Sequence, residues 1–184
     1  YFSPVHYQRA GVWKDIDTTL VEDKNAADAG NVFGRAFGVV QSWFSGTENY
    51  IVKENDWQAR FSPSNAGQGM VRIKKGDSQI AFTPIGAKDV APVITQNADG
   101  KQVVHYYDLW PGVNVDYVVE SDALKENVIL KDKNAAHSVS FELKGAEVKK
   151  RAAGTESKIA PYDIVGALDD TFGITPANLI LNNF

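Results

Sequence analysis

Hydrophobic residues along this chain fall in short runs between turn signals and alternate with polar ones most clearly over Val113–Val119. There Val113, Val115, Tyr117 and Val119 share one face while Asn114 and Asp116 take the other, the pattern of a half-buried antiparallel strand. Pro111-Gly112 separates this strand from one running Gln102 to Leu109, and Ser121-Asp122 turns the chain into another over Leu124 to Leu130. At least three neighbouring antiparallel strands are therefore expected between Val104 and Leu143. Upstream, Tyr50–Val52, Trp57–Phe61, Met70–Lys74 and Gln79–Thr83 read as short strands, with Lys75-Gly76-Asp77 closing a hairpin and Asn97-Ala98-Asp99-Gly100 forming a further turn. Val5–Gln8 and Val12–Leu20 flank Ala10-Gly11, where glycine takes a positive φ at little cost, and predict an N-terminal hairpin. His137–Leu143 is expected as one more strand, and Leu179-Ile180-Leu181 as a final strand or an exit linker.

Turn signals at intervals of about 8 to 12 residues, without a sustained amphipathic helix, predict an all-β fold, an antiparallel β-sandwich. The excess of 20 Val and 11 Ile over 8 Leu points the same way, because side chains branched at Cβ fit a pleated sheet better than a helix. Residues 1–150 are assigned to the sandwich and 151–184 to C-terminal strands or a linker. The texture changes between Lys24 and Glu48, where Gly30, Gly34 and Gly38 are interleaved with Phe33, Phe37, Trp43 and Phe44. Each glycine weakens a soluble helix by about 1 kcal/mol, so irregular or strand structure is expected there.

A net charge of −4 argues against nucleic acid, which needs a basic face, and the densest basic run, Lys149-Lys150-Arg151, reads as solvated surface. Without cysteine there is no disulfide framework and no thiolate ligand for structural zinc. The longest apolar stretch, Ala36 to Phe44, is interrupted by Gln41 and Ser42 and falls short of the roughly 20 residues of a membrane helix. A chain opening at Tyr1 without a signal-like run reads as a fragment of something longer.

Several groups invite a chemical reading. Asp15 and Asp17 would lie on one side of a strand, as an acid/base pair or calcium ligands, but a water-facing strand commonly carries such acids. Asn97 and Asp99 lack the further ligands of a calcium loop, and Lys101 and Val103 stand where those would be. His6, His105 and His137 are far apart in sequence, and no nucleophile elbow, zinc-protease helix or phosphate loop accompanies them. Glu120 and Lys125 are expected to pair across a turn, with Glu126 on the other face. Most aromatics are expected in the core. Trp43 and Phe44 are the candidate ligand-binding residues, because aromatic faces stack on the apolar faces of sugars. No metal, cofactor or catalytic residue is assigned.

Three stretches carry a family resemblance: Gly11-Val12-Trp13-Lys14-Asp15-Ile16-Asp17-Thr18-Thr19-Leu20-Val21, Phe82-Thr83-Pro84-Ile85-Gly86-Ala87, and Val104 to Gly145. Within the last, Tyr107-Asp108-Leu109-Trp110-Pro111-Gly112-Val113-Asn114-Val115-Asp116-Tyr117 and Lys125-Glu126-Asn127-Val128-Ile129-Leu130 are the most specific. Together they resemble the N-terminal β-domain of RHS-repeat and wall-associated bacterial surface proteins, over most of residues 5 to 145. Against that pattern, 24–48 looks like an insertion, expected to protrude or to cover a sheet edge. The resemblance implies a noncatalytic structural or scaffold domain of a large exported bacterial protein, extracellular or at the cell surface. Its partners would be other domains of the same protein, with no nucleic acid and no membrane insertion. The alternative is a carbohydrate-binding or adhesive module that takes cell-wall or host glycan. A hydrolase with carboxylates gathered from different strands is a third reading.

Overall fold

In a computed structural model describing residues 3–22, 50–152, 154, 161–166, 171–174 and 178–181, every helix or strand element is a strand. β1 (His6–Arg9) and β2 (Val12–Asp15) form a hairpin. A six-stranded sheet contains β3 (Val21–Glu22), β4 (Tyr50–Ile51), β5 (Trp57–Phe61), β6 (Val71–Lys75), β7 (Ser78–Pro84) and β12 (Phe141–Lys144), in the order β12-β7-β6-β5-β4-β3. A five-stranded sheet contains β8 (Val93–Gln96), β9 (Gln102–Trp110), β10 (Val113–Val119), β11 (Leu124–Leu130) and β16 (Asn178–Leu181), in the order β16-β11-β10-β9-β8. The strands β13 (Ala146–Lys150), β14 (Tyr162–Gly166) and β15 (Thr171–Ile174) make a third sheet, and β14 lies against β7. All ladders are antiparallel except β11 with β16. The protein is thus all-β, an antiparallel sandwich. The segment 24–48 lies outside the described residues.

Alternation decides what faces inward. Val113, Val115, Tyr117 and Val119 are buried, and Asn114, Asp116 and Val118 are only partly covered. This face of β10 meets Trp57, Ala59, Phe61 and Val71 of the six-stranded sheet, with Val52 and Met70 beside its strands, in one apolar cluster. Aromatic residues link the layers further. Phe61 and Tyr117 have ring centroids 5.7 Å apart, and Tyr106 stands edge-on to Tyr117 at 6.1 Å. Buried aromatic residues with polar tips need partners, and they find carbonyls across the sandwich. Tyr106 Oη donates to Ser62 O at 2.8 Å, Trp57 Nε1 to Ser121 O at 3.0 Å, and Trp110 Nε1 to Ile85 O at 2.9 Å.

The chain departs from expectation in four places, the first being β13, a strand over Ala146–Lys150 where Lys149 and Lys150 read as part of a turn. β8 lacks an alternating pattern and was not anticipated. The strand expected over His137–Leu143 begins only at Phe141. Before it the chain wraps the β9–β10 turn, where Ala136 N donates to Pro111 O at 3.2 Å and Ala135 is buried. A Cβ on Gly112 would stand 2.9 Å from Ala135 Cα, so that close approach, together with a φ of +73°, requires glycine. The strand expected to run to Leu20 stops at Asp15, and Asp17 instead bridges to Glu54.

The same alternation turns Glu126 to the inward face of β11, half-buried beside Leu124 and Val128, where it accepts the Tyr117 hydroxyl at 2.8 Å. Burial pushes the Glu126 carboxyl up, and the Tyr117 hydrogen bond only partly offsets this. A carboxyl whose folded pKa lies above its unfolded value binds its proton more tightly when folded. That contribution to stability is complete below the unfolded value near 4.5 and is lost as pH rises through the raised folded value. Glu126→Gln keeps an acceptor for Tyr117 and removes the ionisation. It is expected to raise the melting temperature at neutral pH, with the difference from wild type shrinking on acidification. Thermal melts across that range check the sign.

Candidate functional site

The outer face of the five-stranded sheet holds a linked polar constellation, and an irregularity in β9 creates it. Trp110 pairs with Val113 next to the Pro111-Gly112 turn, yet Tyr106 pairs with Val115, so Tyr107, Asp108 and Leu109 together stand opposite Asn114. Asp108 takes a φ of 54°, a left-handed conformation that aspartate tolerates better than most residues. Its amide donates to Asn114 Oδ1 at 2.8 Å, its carboxylate accepts Gly112 N–H at 3.1 Å and Lys131 Nζ at 3.3 Å, and Lys88 Nζ completes the clasp. These donors, Lys88 foremost, draw the Asp108 carboxyl down to about 2.

Without the bulge, Asp116 would pair with Tyr107. With it, Asp116 pairs with His105. His105 Nδ1 lies 2.7 Å from Asp116 Oδ1, and His105 Nε2 lies 2.7 Å from Thr95 Oγ1 on β8. A carboxylate only accepts, so Nδ1 carries a proton and the Nε2 of a neutral ring accepts the threonine hydroxyl. This hydroxyl–imidazole–carboxylate order can orient the ring and polarise the hydroxyl. His105 is largely covered, while Thr95 is exposed. Tyr107 stacks on His105 at 5.1 Å with an 8° interplanar angle and remains 46% exposed, an aromatic surface beside three polar groups.

The residues singled out in the sequence fall elsewhere. Trp43 and Phe44 lie outside the described residues. Trp13 on β2 is 69% exposed, whereas Trp57 and Trp110 are in the core. Asp15 pairs with His6 at 3.0 Å, and Asp17 accepts Thr19 N–H at 2.8 Å, so they serve different partners. Asn97 Oδ1 accepts the amides of Asp99 and Lys101 and fastens the β8–β9 turn. Glu120 accepts both Lys101 and Lys125, at 2.7 and 3.0 Å, and Glu126 does face the other way. In the basic run, Lys149 pairs with Glu147, and Arg151 pairs with Asp163, whose carboxyl it holds low. On the side of the six-stranded sheet away from the core, Arg60 and Arg72 are direct cross-strand partners and both are buried. Arg72 donates to Gln68 Oε1 at 2.6 Å and Ser62 Oγ at 3.3 Å. Neither arginine was anticipated as buried, since nothing in Gln58-Ala59-Arg60 distinguishes it from a wet strand face.

No family model matches the chain, and no curated protein or solved structure matches it. Among the described residues no helix is long and apolar enough to cross a membrane, and no cluster of three or more metal-ligating side chains occurs.

The Asp108 clasp generates a graded expectation. Asp108→Asn still tolerates the left-handed conformation and can accept Gly112 N–H but loses the charge shared by Lys88 and Lys131, while Asp108→Ala loses both. Melting temperatures should fall in the order wild type, Asn, Ala. With the folded pKa lowered from 3.8 to about 2, the charge contributes fully above 3.8 and its contribution is lost as pH falls through about 2. The wild-type advantage over Asp108→Asn should therefore close at the acid end of a pH series of melts.

Proposed function

We propose that this chain is a noncatalytic structural domain of a large exported bacterial surface protein, joined to other domains of the same polypeptide. The observation that carries this reading is the use made of the residues behind the RHS-like resemblance. Leu109, Trp110, Val113, Val115 and Tyr117 are buried in the inter-sheet core. Asp108, Gly112 and Asn114 lock the turn that sets the register. In the Lys125–Leu130 stretch, Lys125 closes an ion pair and Glu126 binds Tyr117. These residues of the motif serve the architecture, while Tyr107 and Asp116 stand on the outer face. The test is the surrounding coding sequence together with surface labelling of intact cells. The reading predicts an open reading frame that continues into repeats and a product accessible to antibody from outside. A cytoplasmic product without repeats would overturn it.

Tyr107 favours carbohydrate binding as a second reading. A half-exposed ring flanked by His105, Thr95 and Asp116 offers an apolar stacking surface beside hydrogen-bonding groups, the combination a pyranose requires. If this face binds cell-wall polysaccharide, Tyr107→Ala should abolish retention on that polysaccharide while leaving the melt cooperative. Trp43→Ala tests the other aromatic candidate. Retention lost with Trp43→Ala alone would move the site into 24–48, and no retention by the wild type would remove this reading.

A further inference from the structure

We infer that the six-stranded sheet carries, on its side away from the core, a binding site for a small organic carboxylate of the size and polarity of one sugar acid. The site lies over Ala81, between Arg72 and Lys144. Arg60, Arg72, Ala81 and Lys144 are successive cross-strand partners on β5, β6, β7 and β12, so their side chains stand in one row. Gln58, Lys74 and Gln79 form the neighbouring row on the same face. Among the described residues on this face of the four strands, Arg60, Arg72, Lys74 and Lys144 are cations and Glu142 is the one acid. A chain with a net charge of −4 thus gathers positive charge here.

Ala81 makes the row concave. Neighbouring strands are about 4.8 Å apart, so Arg72 and Lys144 leave the sheet roughly 10 Å from each other with only a methyl group between them. The resulting cavity measures about 320 Å³, with Gln68, Arg72, Gln79, Ala81, Lys144 and Gly145 in its walls. At Gly145 the chain presses against the backbone of Gln79, where a Cβ would collide with Gln79 O, so that wall can stand this close only without a side chain. The two cations are held differently. Arg72 is buried, its guanidinium oriented by Gln68 Oε1 at 2.6 Å and Ser62 Oγ at 3.3 Å, whereas Lys144 is exposed and can turn toward a ligand.

The lining selects the ligand. Cationic side chains on opposite walls call for an anion between them, and a planar guanidinium matches a carboxylate. A cavity of about 320 Å³ is far more than an inorganic oxyanion fills and falls within the roughly 300 to 1,000 Å³ of small-molecule sites. The Ala81 methyl and Gly145 give an apolar floor for a ring. The Gln68 and Gln79 side chains carry both donors and acceptors, as hydroxyl groups require. One carboxylate on a hydroxylated ring meets all three demands. Its competitor is Glu142, which pairs with Lys144 at 3.4 Å, and an ion pair this exposed is readily exchanged.

That competition gives a test with two signs. Titration of the intact chain with D-glucuronate at low ionic strength, followed by amide chemical shifts, is expected to move Gln68, Gln79, Ala81 and Gly145 saturably. D-glucose should leave these amides in place, and sodium sulfate should bind more weakly than glucuronate. Lys144→Glu should weaken glucuronate binding about tenfold or more. Glu142→Gln should tighten it, because Lys144 is released to the ligand. Both positions are exposed, and a cooperative melt for each variant keeps loss of fold separate from loss of binding. Glucuronate that leaves the four amides unmoved, glucose that binds equally, or sulfate that binds as tightly as glucuronate would each overturn the assignment. So would a Lys144→Glu variant that binds like wild type or a Glu142→Gln variant that binds no tighter.

Discussion

Tyr106, Tyr117 and Phe61 meet where the two large sheets face one another, and much of the structure depends on their meeting. Tyr106 and Tyr117 lie on adjacent strands of the five-stranded sheet and Phe61 lies on the opposed sheet, so the contact fixes which faces are inward. Because side chains alternate with a period of two, a slip of one residue in β10 would send Val113, Val115 and Tyr117 to solvent and bring Asn114 and Asp116 inside. Burial of both tyrosines raises their hydroxyl pKa values well above the usual range, so they remain neutral donors. One hydroxyl reaches the carbonyl of Ser62 and the other Glu126, which ties the register of β9 and β10 to groups beyond the aromatic rings themselves.

The β9–β10 hairpin shows how a local irregularity becomes a site. A two-residue turn sets one register, and the Asp108 bulge replaces it with another within four residues of the turn. The stored cost of a left-handed non-glycine residue is offset by four polar contacts to one side chain and its amide. What the new register produces is the His105–Asp116 pair. The clasp and the polar constellation are thus linked: strain held at Asp108 places a histidine beside an acid on the outer face.

That linkage also explains what was legible in the sequence. The period of two over Val113–Val119, the Gly76-Asp77 and Pro111-Gly112 turns and the strands they join are local properties, and they appear in the structure where expected. The apolar Leu179-Ile180-Leu181 run is also a strand, though its parallel pairing with β11 is a long-range outcome. β8 was illegible because Val93-Ile94-Thr95-Gln96 is short, follows a proline and has its apolar pair adjacent rather than alternating. The Thr95–His105–Asp116 chain was illegible for a different reason. It requires three strands in register and a bulge, and counting from the Pro-Gly turn alone sets Asp116 against Tyr107. The aromatic candidates Trp43 and Phe44 came from composition, whereas exposure at Trp13 and Tyr107 follows from which face of a strand the sheet leaves uncovered.

Two carboxyls near the same hairpin carry the logic of burial in opposite directions. Glu126 alternates inward, loses water and keeps one hydroxyl donor, so its neutral form is favoured. Asp108 stays near the surface and gathers two ammonium groups and an amide, so its charged form is favoured. Their contributions to stability therefore have opposite slopes with pH: one is lost as pH rises, the other as pH falls. Neither residue differs from an ordinary surface acid until strand alternation has turned one to the inward face, half-buried, and the bulge has surrounded the other with donors. Position in the pleat, more than residue type, decides which acid is pressed toward its neutral form and which acts as a charged clasp.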